Sequence, residues 1–251
     1  MAKLAESLDK ASTAYGMEIS AEKAKLMTNN TSGINIEIKI NGQKLETVTN
    51  FKYLVSVITD EDSKPEILSR IAQTTAALTR LKPVWIDKSI SFSSKMRLMC
   101  FLVTFIFLCT CESWTLTAEL QRRIQAMEMR CNRKIPHISY KDHVTNEEVC
   151  AKIQQAIGTH KDLLTTVKRR KLQWYVHVSR LSGLAKTILQ GTVKGGRRQG
   201  RQRKRWEDNI REWTGLEFAK TQRVVENKEK WKKLVAKSSV VPQRPSWLTD
   251  R

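Results

Sequence analysis

The stretch from Gly195 to Trp213, GGRRQGRQRKRWEDNIREW, gathers the residue types that grip phosphate. Arg197, Arg198, Arg201, Arg203 and Arg205 each carry a planar guanidinium that matches two phosphate oxygens at once, and Lys204 adds a point charge. Gly195, Gly196 and Gly200 let a backbone come close. A second cationic cluster, Lys168, Arg169, Arg170 and Lys171, runs into Trp174 and Tyr175, aromatics of the kind that stack on bases. From Leu163 through Trp206 there are thirteen basic residues and no acidic one. The chemistry these residues offer is binding of an RNA or DNA backbone, mostly through phosphate. The plainer reading of Trp174, Trp206, Trp213 and Trp231 is the core of a helical region, and that reading is preferred for the tryptophans.

Other chemistries find less support. Phosphoryl transfer by a polymerase or nuclease needs carboxylates that hold Mg²⁺. The tightest acidic cluster, Asp60-Glu61-Asp62, stands in a turn before Pro65 and reads as a solvated loop. Cys131, His137, His143 and Cys150 are zinc-ligand types, but their separations match none of the usual close pairs. Cys131 also falls on the apolar side of its helix. No P-loop, G-x-G-x-x-G or G-x-S-x-G occurs. The expectation is no catalytic residue, no metal and no cofactor in this chain.

Composition sharpens the binding reading. The 251 residues carry a formal net charge of +20 and a pI near 10.0. Residues 1–120 hold 14 Lys/Arg against 13 Asp/Glu, whereas 121–251 hold 31 against 12. Charge placed so unevenly points to a polyanionic partner. The five cysteines are spread without a framework of pairs, and the amino terminus lacks the apolar core of a signal peptide. A nuclear or cytoplasmic setting is expected, neither secreted nor transmembrane. The longest uncharged run, Leu98 to Cys111, has fourteen residues, whereas a bilayer span needs about 20, so it reads as a fully buried core helix.

The elements that must hold these residues can be read from periodicity. Leu4, Leu8, Ala11 and Tyr15 share a helix face that Gly16 closes. Ile34, Ile36, Ile38 and Ile40 alternate as a strand, Asn41-Gly42 is a hairpin turn, and Phe51 to Thr59 reads as a further strand. From Pro65 on the pattern is helical. One helix runs to Lys82-Pro83, a second is capped by Ser91 or Ser93, and a third spans Thr117 to Lys134. Thr145 and Glu148 form a capping-box pair, and Leu163 to Leu181 is a basic helix. Trp206, Ile210 and Trp213 share one face of a helix ending at Gly215, and a last helix lies near Glu217–Lys237.

Several stretches, in this order, resemble the C-terminal part of non-LTR (LINE-type, RTE-like) retrotransposon endonuclease–reverse transcriptases: YGMEISAEKAKLM, NFKYLVSVIT, CESWTLTAELQRRIQAMEMRC, ISYKDHVTNEEV, RRKLQWYVHVSRL and GRRQGRQRKRWEDNIREWTG. The resemblance implies the end of a polymerase palm, with Lys23 or Lys25 near the incoming nucleotide. It makes the stretch Phe51, Lys52, Tyr53, Leu54 and onward to Thr59 a hairpin that grips the primer end. The helices from Pro65 to about Lys134 become a thumb, and the basic remainder a nucleic-acid-contacting tail. Departures are plain: the family's Tyr-x-Asp-Asp occurs nowhere here, Val55 replaces a glycine, and Cys109-Thr110-Cys111 replaces a tyrosine-glycine pair that is common before Glu-Ser-Trp-Thr. Mg²⁺ is thus implied only for a full-length relative.

The combined expectation is an α+β, mainly α, chain: a partial palm over 1–62 made of one helix and a small antiparallel sheet, thumb-like helices over 63–136, a basic helical region over 137–237 and a disordered tail over 238–251. It would bind RNA or DNA and be non-catalytic alone. Two alternatives stand beside this: a working part of a longer reverse transcriptase whose carboxylates lie upstream or on another chain, and a basic nuclear scaffold without a direct nucleic-acid role.

Overall fold

The computed structural model describes residues 2–27, 37–40, 42–54, 56–59, 62–159, 161–181, 183–191 and 203–238. Within these the chain is mainly helical with a few short strands, and it divides into two compact units, Met1–Glu66 and Ile67–Arg251.

The first unit opens with α1 (Ala2–Ala14), which stops where Gly16 turns the backbone left-handed at φ 70°. Three two-stranded pairings follow. β1 (Lys25–Leu26) runs parallel to β4 (Glu46–Thr47), while β2 (Lys39–Ile40) and β3 (Gln43–Lys44) form an antiparallel pair across residues 41–42. Gly42, at φ 78°, supplies the conformation that the Asn-Gly turn demanded. The expected single antiparallel sheet is therefore corrected to three small pairings, one of them parallel. Residues 34–36 and Asn41 lie outside the described set. Leu26, Ile38, Ile40 and Leu45 make a small core, with Ala5, Ile19, Ala21 and Ala24 packed on it. The face of α1 that periodicity pointed inward does not go there. Leu4, Leu8 and Tyr15 are exposed, and the small side chain of Ala5 meets the core instead.

Phe51 to Thr59 folds as two strands rather than one. β5 (Asn50–Tyr53) pairs antiparallel with β6 (Ser56–Thr59), placing Phe51 opposite Ile58 and Tyr53 opposite Ser56. A strand period does not mark a reversal at Leu54, an apolar residue that carries no turn signature. Leu54 adopts φ 54° to make it. The Val57 N–H then donates to the Glu66 carboxylate at 2.6 Å.

The division between the units falls inside α2 (Lys64–Arg80). Pro83 does not end that helix. It starts α3 (Lys82–Ile86) from within the first turn, where a missing N–H costs nothing. Next come α4 (Phe92–Phe107), capped by Ser91 as expected, a 3-10 turn at Cys111–Ser113, and α5 (Ala118–Lys134), capped by Thr117. α6 (Asn146–Ile157) carries the expected box: Glu148 N–H donates to Thr145 Oγ1 at 3.2 Å and Thr145 N–H to Glu148 Oε2 at 2.9 Å. α7 (Leu163–Arg180), α8 (Leu184–Gln190), α9 (Trp206–Thr214), α10 (Phe218–Glu226) and α11 (Lys228–Ser238) complete the unit. The last predicted helix is thus two. The chain breaks at Asn227, whose Oδ1 accepts from Lys230 N–H and caps α11.

One apolar core runs from Ile67 through Trp85, Phe107, Trp114 and Ile124 to Val167, across the boundary expected at 136/137. A second core joins Leu172 and Tyr175 of α7 to Ile210, Val225, Trp231 and Val235. α4 buries only one face, with Met96, Met99, Val103 and Phe107 inward. On its opposite face Phe101 is 66% and Phe105 75% exposed, their rings stacked 6.3 Å apart. This corrects the expectation of a fully buried helix. An uncharged run is apolar all round, but it is buried all round only where neighbours pack on every side.

Thr110, immediately before the 3-10 turn, sits at φ 62° and ψ 12°. A β-branched residue is strained in that left-handed region, whereas glycine is not. Relief of ~1–3 kcal/mol of strain against ~0.5–1 kcal/mol of extra chain entropy predicts that Thr110→Gly stabilises by about 1 kcal/mol. A denaturant midpoint measures this, and a lower midpoint would contradict it.

Candidate nucleic-acid interface

α7 is the element on which the predicted cationic cluster stands. Asp162 starts it by accepting from Thr165 N–H at 3.0 Å, and Leu164, Val167, Leu172 and Tyr175 turn to the core. The same helical turn decides what its cations do. Lys168 stands four residues after Leu164 and Lys171 four after Val167, so they follow these inward, while Arg169 and Arg170 are exposed.

Lys171 is fully buried. Its Nζ donates to the Trp114 carbonyl at 2.7 Å and to Asn209 Oδ1 at 3.0 Å, and it lies 4.4 Å from the centre of the Trp206 ring and 5.5 Å from that of Trp213. Burial, helped by the neighbouring charge of Lys204 and opposed by Asp208, pulls its pKa down to about 6. Lys168 Nζ lies 5.5 Å from the Trp213 ring, and burial lowers its pKa too. The expectation that these two lysines meet phosphate is therefore corrected. Periodicity around Trp174 and Tyr175 marked the helix, but not which cations its rotation would carry inside.

The wider arrangement explains where more of the positive charge goes. Arg70 Nη1 donates to the Ile106 carbonyl at 3.4 Å and Arg170 Nη1 to that of Leu108 at 3.0 Å, both at the end of α4. Lys95 donates to the Trp85 and Asp87 carbonyls at the end of α3. Arg180 grips the Val225 carbonyl in the last turn of α10 with Nε and Nη2, at 2.8 and 2.6 Å. Helix C-termini leave carbonyls without N–H partners and carry partial negative charge, so a cation there both fills the bond and meets the field. These cations knit helices together; their charge alone did not distinguish them from a nucleic-acid surface.

In the arm, Arg197, Arg198 and Arg201 lie outside the described residues. Arg203 and Arg205 are exposed, while Lys204 is half-buried in an ion pair with Glu212 of α9. Arg205 N–H donates to Asp208 Oδ2 at 2.7 Å and so opens α9. The predicted anchor is in place: Trp206 Nε1 donates to the Glu112 carbonyl at 2.8 Å and Ile210 is buried. Asn209 was missed. Its Oδ1 accepts from Leu116 N–H at 2.7 Å and its Nδ2 donates to the Leu116 carbonyl at 2.8 Å, with the side chain fully buried. The signal was available, since Asn209 stands three residues after Trp206 on the face shared with Ile210 and Trp213.

The remaining candidates are in the first unit. Lys25 is paired with Glu46 at 2.6 Å and Lys23 is exposed in the turn before β1. On the β5–β6 hairpin Phe51 is half-buried, whereas Lys52, Tyr53 and Leu54 are exposed. Of the acidic trio, Asp60 and Glu61 lie outside the described residues, and Asp62 Oδ1 accepts from Lys64 N–H at 2.8 Å. Among the described residues no group of three His, Cys, Asp or Glu stands close enough to hold a metal ion. Cys131 packs in the core with Sγ 3.5 Å from Met127 Sδ, and burial holds its thiol neutral, with a pKa pushed up to about 12. Among the described residues no helix is long and apolar enough to cross a membrane.

The class this fold and surface define is a mainly helical protein with a small β portion and a strongly basic second unit. Comparison of the chain with protein-family models, with curated proteins and with solved structures finds no match.

Proposed function

We propose that the chain is the C-terminal part of an RTE-like retrotransposon reverse transcriptase, non-catalytic alone, that binds RNA or DNA backbone through its basic half. The observation that carries this reading is the carboxylate-free run from Leu163 through Trp206, ending in an arginine arm beside an anchored helix. The antiparallel hairpin β5–β6, with Lys52 and Tyr53 exposed, is compatible with a primer-gripping element. After the inward cations are set aside, the contacts assigned to phosphate are Arg169, Arg203, Arg205 and the arm residues Arg197, Arg198 and Arg201. Arg170 contributes only what its bond to Leu108 leaves over.

Binding of this kind is salt-sensitive and weakly sequence-selective. With six to ten phosphate contacts, affinity for a mixed-sequence oligonucleotide falls about 10³- to 10⁵-fold between 50 and 200 mM salt. Replacing Arg197, Arg198, Arg201, Arg203 and Arg205 together by alanine flattens the slope of log affinity against log salt. A filter-binding titration reads both. Absence of binding at 50 mM salt would sink the proposal, and an unchanged slope would remove the arm from it.

A further inference from the structure

Trp174 is the one residue of the α7 aromatic pair that does not go inward. Tyr175 is buried, yet the Trp174 side chain is 40% exposed on the outer face of the helix. Its ring is held rather than loose: Trp206 meets it edge-on, with centroids 5.4 Å apart and planes at 74°. Trp206 is itself fixed by its bond to the Glu112 carbonyl and by the buried Lys171 Nζ, 4.4 Å from its ring centre. An indole immobilised before binding loses little freedom when a second ring stacks on it.

Its neighbours are cationic or polar. Arg170 and His177 stand four residues before and three after Trp174, on the same exposed side of α7, with Gln173 exposed between them. Arg205 stands next to this place as well, because it immediately precedes Trp206, and it is exposed. A fixed aromatic face bordered by cations is what single-strand binders present to an unpaired base and its phosphates. A duplex keeps its base faces stacked inside and offers such a ring nothing to stack on.

We infer that the α7 surface around Trp174 is a stacking platform for single-stranded RNA or DNA, with an unpaired base on the indole and flanking phosphates on Arg170 and Arg205. This rests on the nucleic-acid reading above and adds to it the strandedness of the ligand.

The test uses the full chain and fluorescence anisotropy at 50 mM salt with three labelled probes: a 12-nucleotide oligothymidylate, the blunt duplex of that length, and the same strand with abasic sites at its centre. The parent is expected to bind the intact strand about tenfold more tightly than the abasic one, which has equal charge and no base to stack. Trp174→Ala should weaken the intact strand about tenfold, leave the duplex within twofold and leave the salt slope unchanged. Trp174→Phe should recover most of the loss. Equal binding of intact and abasic strands, or a Trp174→Ala loss shared by the duplex, overturns the platform while leaving phosphate binding standing. If none of the probes binds the parent, the platform and the nucleic-acid reading fall together. The abasic comparison is made on the parent, so it holds even if Trp174→Ala loosens the fold.

Discussion

Raising the pH from 6.5 to 8.5 is expected to stabilise the protein by about 2–3 kcal/mol, and Lys171→Met is expected to abolish that rise. The folded amine titrates at about 6, whereas in an unfolded chain it titrates near 10.4. Between these values the unfolded chain holds a proton that the folded one does not, so stability climbs with pH by up to ~1.4 kcal/mol per unit. Below about 6 the full penalty of the buried ammonium is present, and it is relieved upward. The Trp206 ring opposes this by at most ~2 kcal/mol of cation–π attraction, which the loss of hydration outweighs. Lys168, also lowered by burial, works in the same direction.

Above about pH 9 the sign reverses. The buried thiols of Cys111 and Cys131, both raised to about 12, stay protonated in the fold while unfolded thiols ionise. A stability maximum near pH 8.5–9 follows. In the methionine variant the Trp114 carbonyl loses its donor, at ~1–3 kcal/mol. That variant is therefore the weaker one at pH 8.5 and closes the gap as pH falls. Urea midpoints of both proteins across this range measure it. An equal rise in Lys171→Met would assign the proton to another group.

The second large effect is at Asn209. Asn209→Leu keeps the same branching and number of heavy atoms but leaves the Leu116 N–H and carbonyl without their partners and removes one of the two acceptors of Lys171. At ~1–3 kcal/mol for each orphaned buried group the loss is about 3–5 kcal/mol, a large share of the ~5–15 kcal/mol that holds a typical domain together. Asn209→Asp gives a different signature. Its carboxylate stands beside Lys171 and favours the ammonium, so the pH-dependent rise moves to higher pH. Chemical denaturation of Asn209→Leu reads the first effect; a loss under 1 kcal/mol would mean that the segment at Leu116 finds other partners. The pH profile of Asn209→Asp reads the second, and an unmoved profile would contradict the coupling.

Both effects arise where the segment Trp114–Leu116 meets α7 and α9; helical spacing put Asn209 on the inward face, but no pattern of residues gave its partners at Leu116 or that of Lys171 at Trp114. Periodicity located α5, α7 and α9, and the cap residues Ser91 (one of two candidates) and Thr145 were legible because an N-cap is a local bond between residues three apart. The Asn-Gly turn and the Gly215 helix end were legible for the same reason, since backbone preference acts within a few residues. What failed were statements needing knowledge of neighbours: the exposed face of α4 and the outward Leu4 and Leu8.

The arginine arm shows the same division of labour. Sequence alone determined that the second half is basic, that the run from Leu163 through Trp206 has no carboxylate, and that Trp206, Ile210 and Trp213 share a face. Only the tertiary structure decided which cations remain available to a partner. Lys168 and Lys171 are carried inside by the rotation of α7, while Lys95 and Arg180 are drawn to helix ends whose carbonyls lack donors. A charge is written into the chain one residue at a time. Whether it meets solvent depends on contacts between residues as far apart as Trp114 and Lys171, and only folding brings those together.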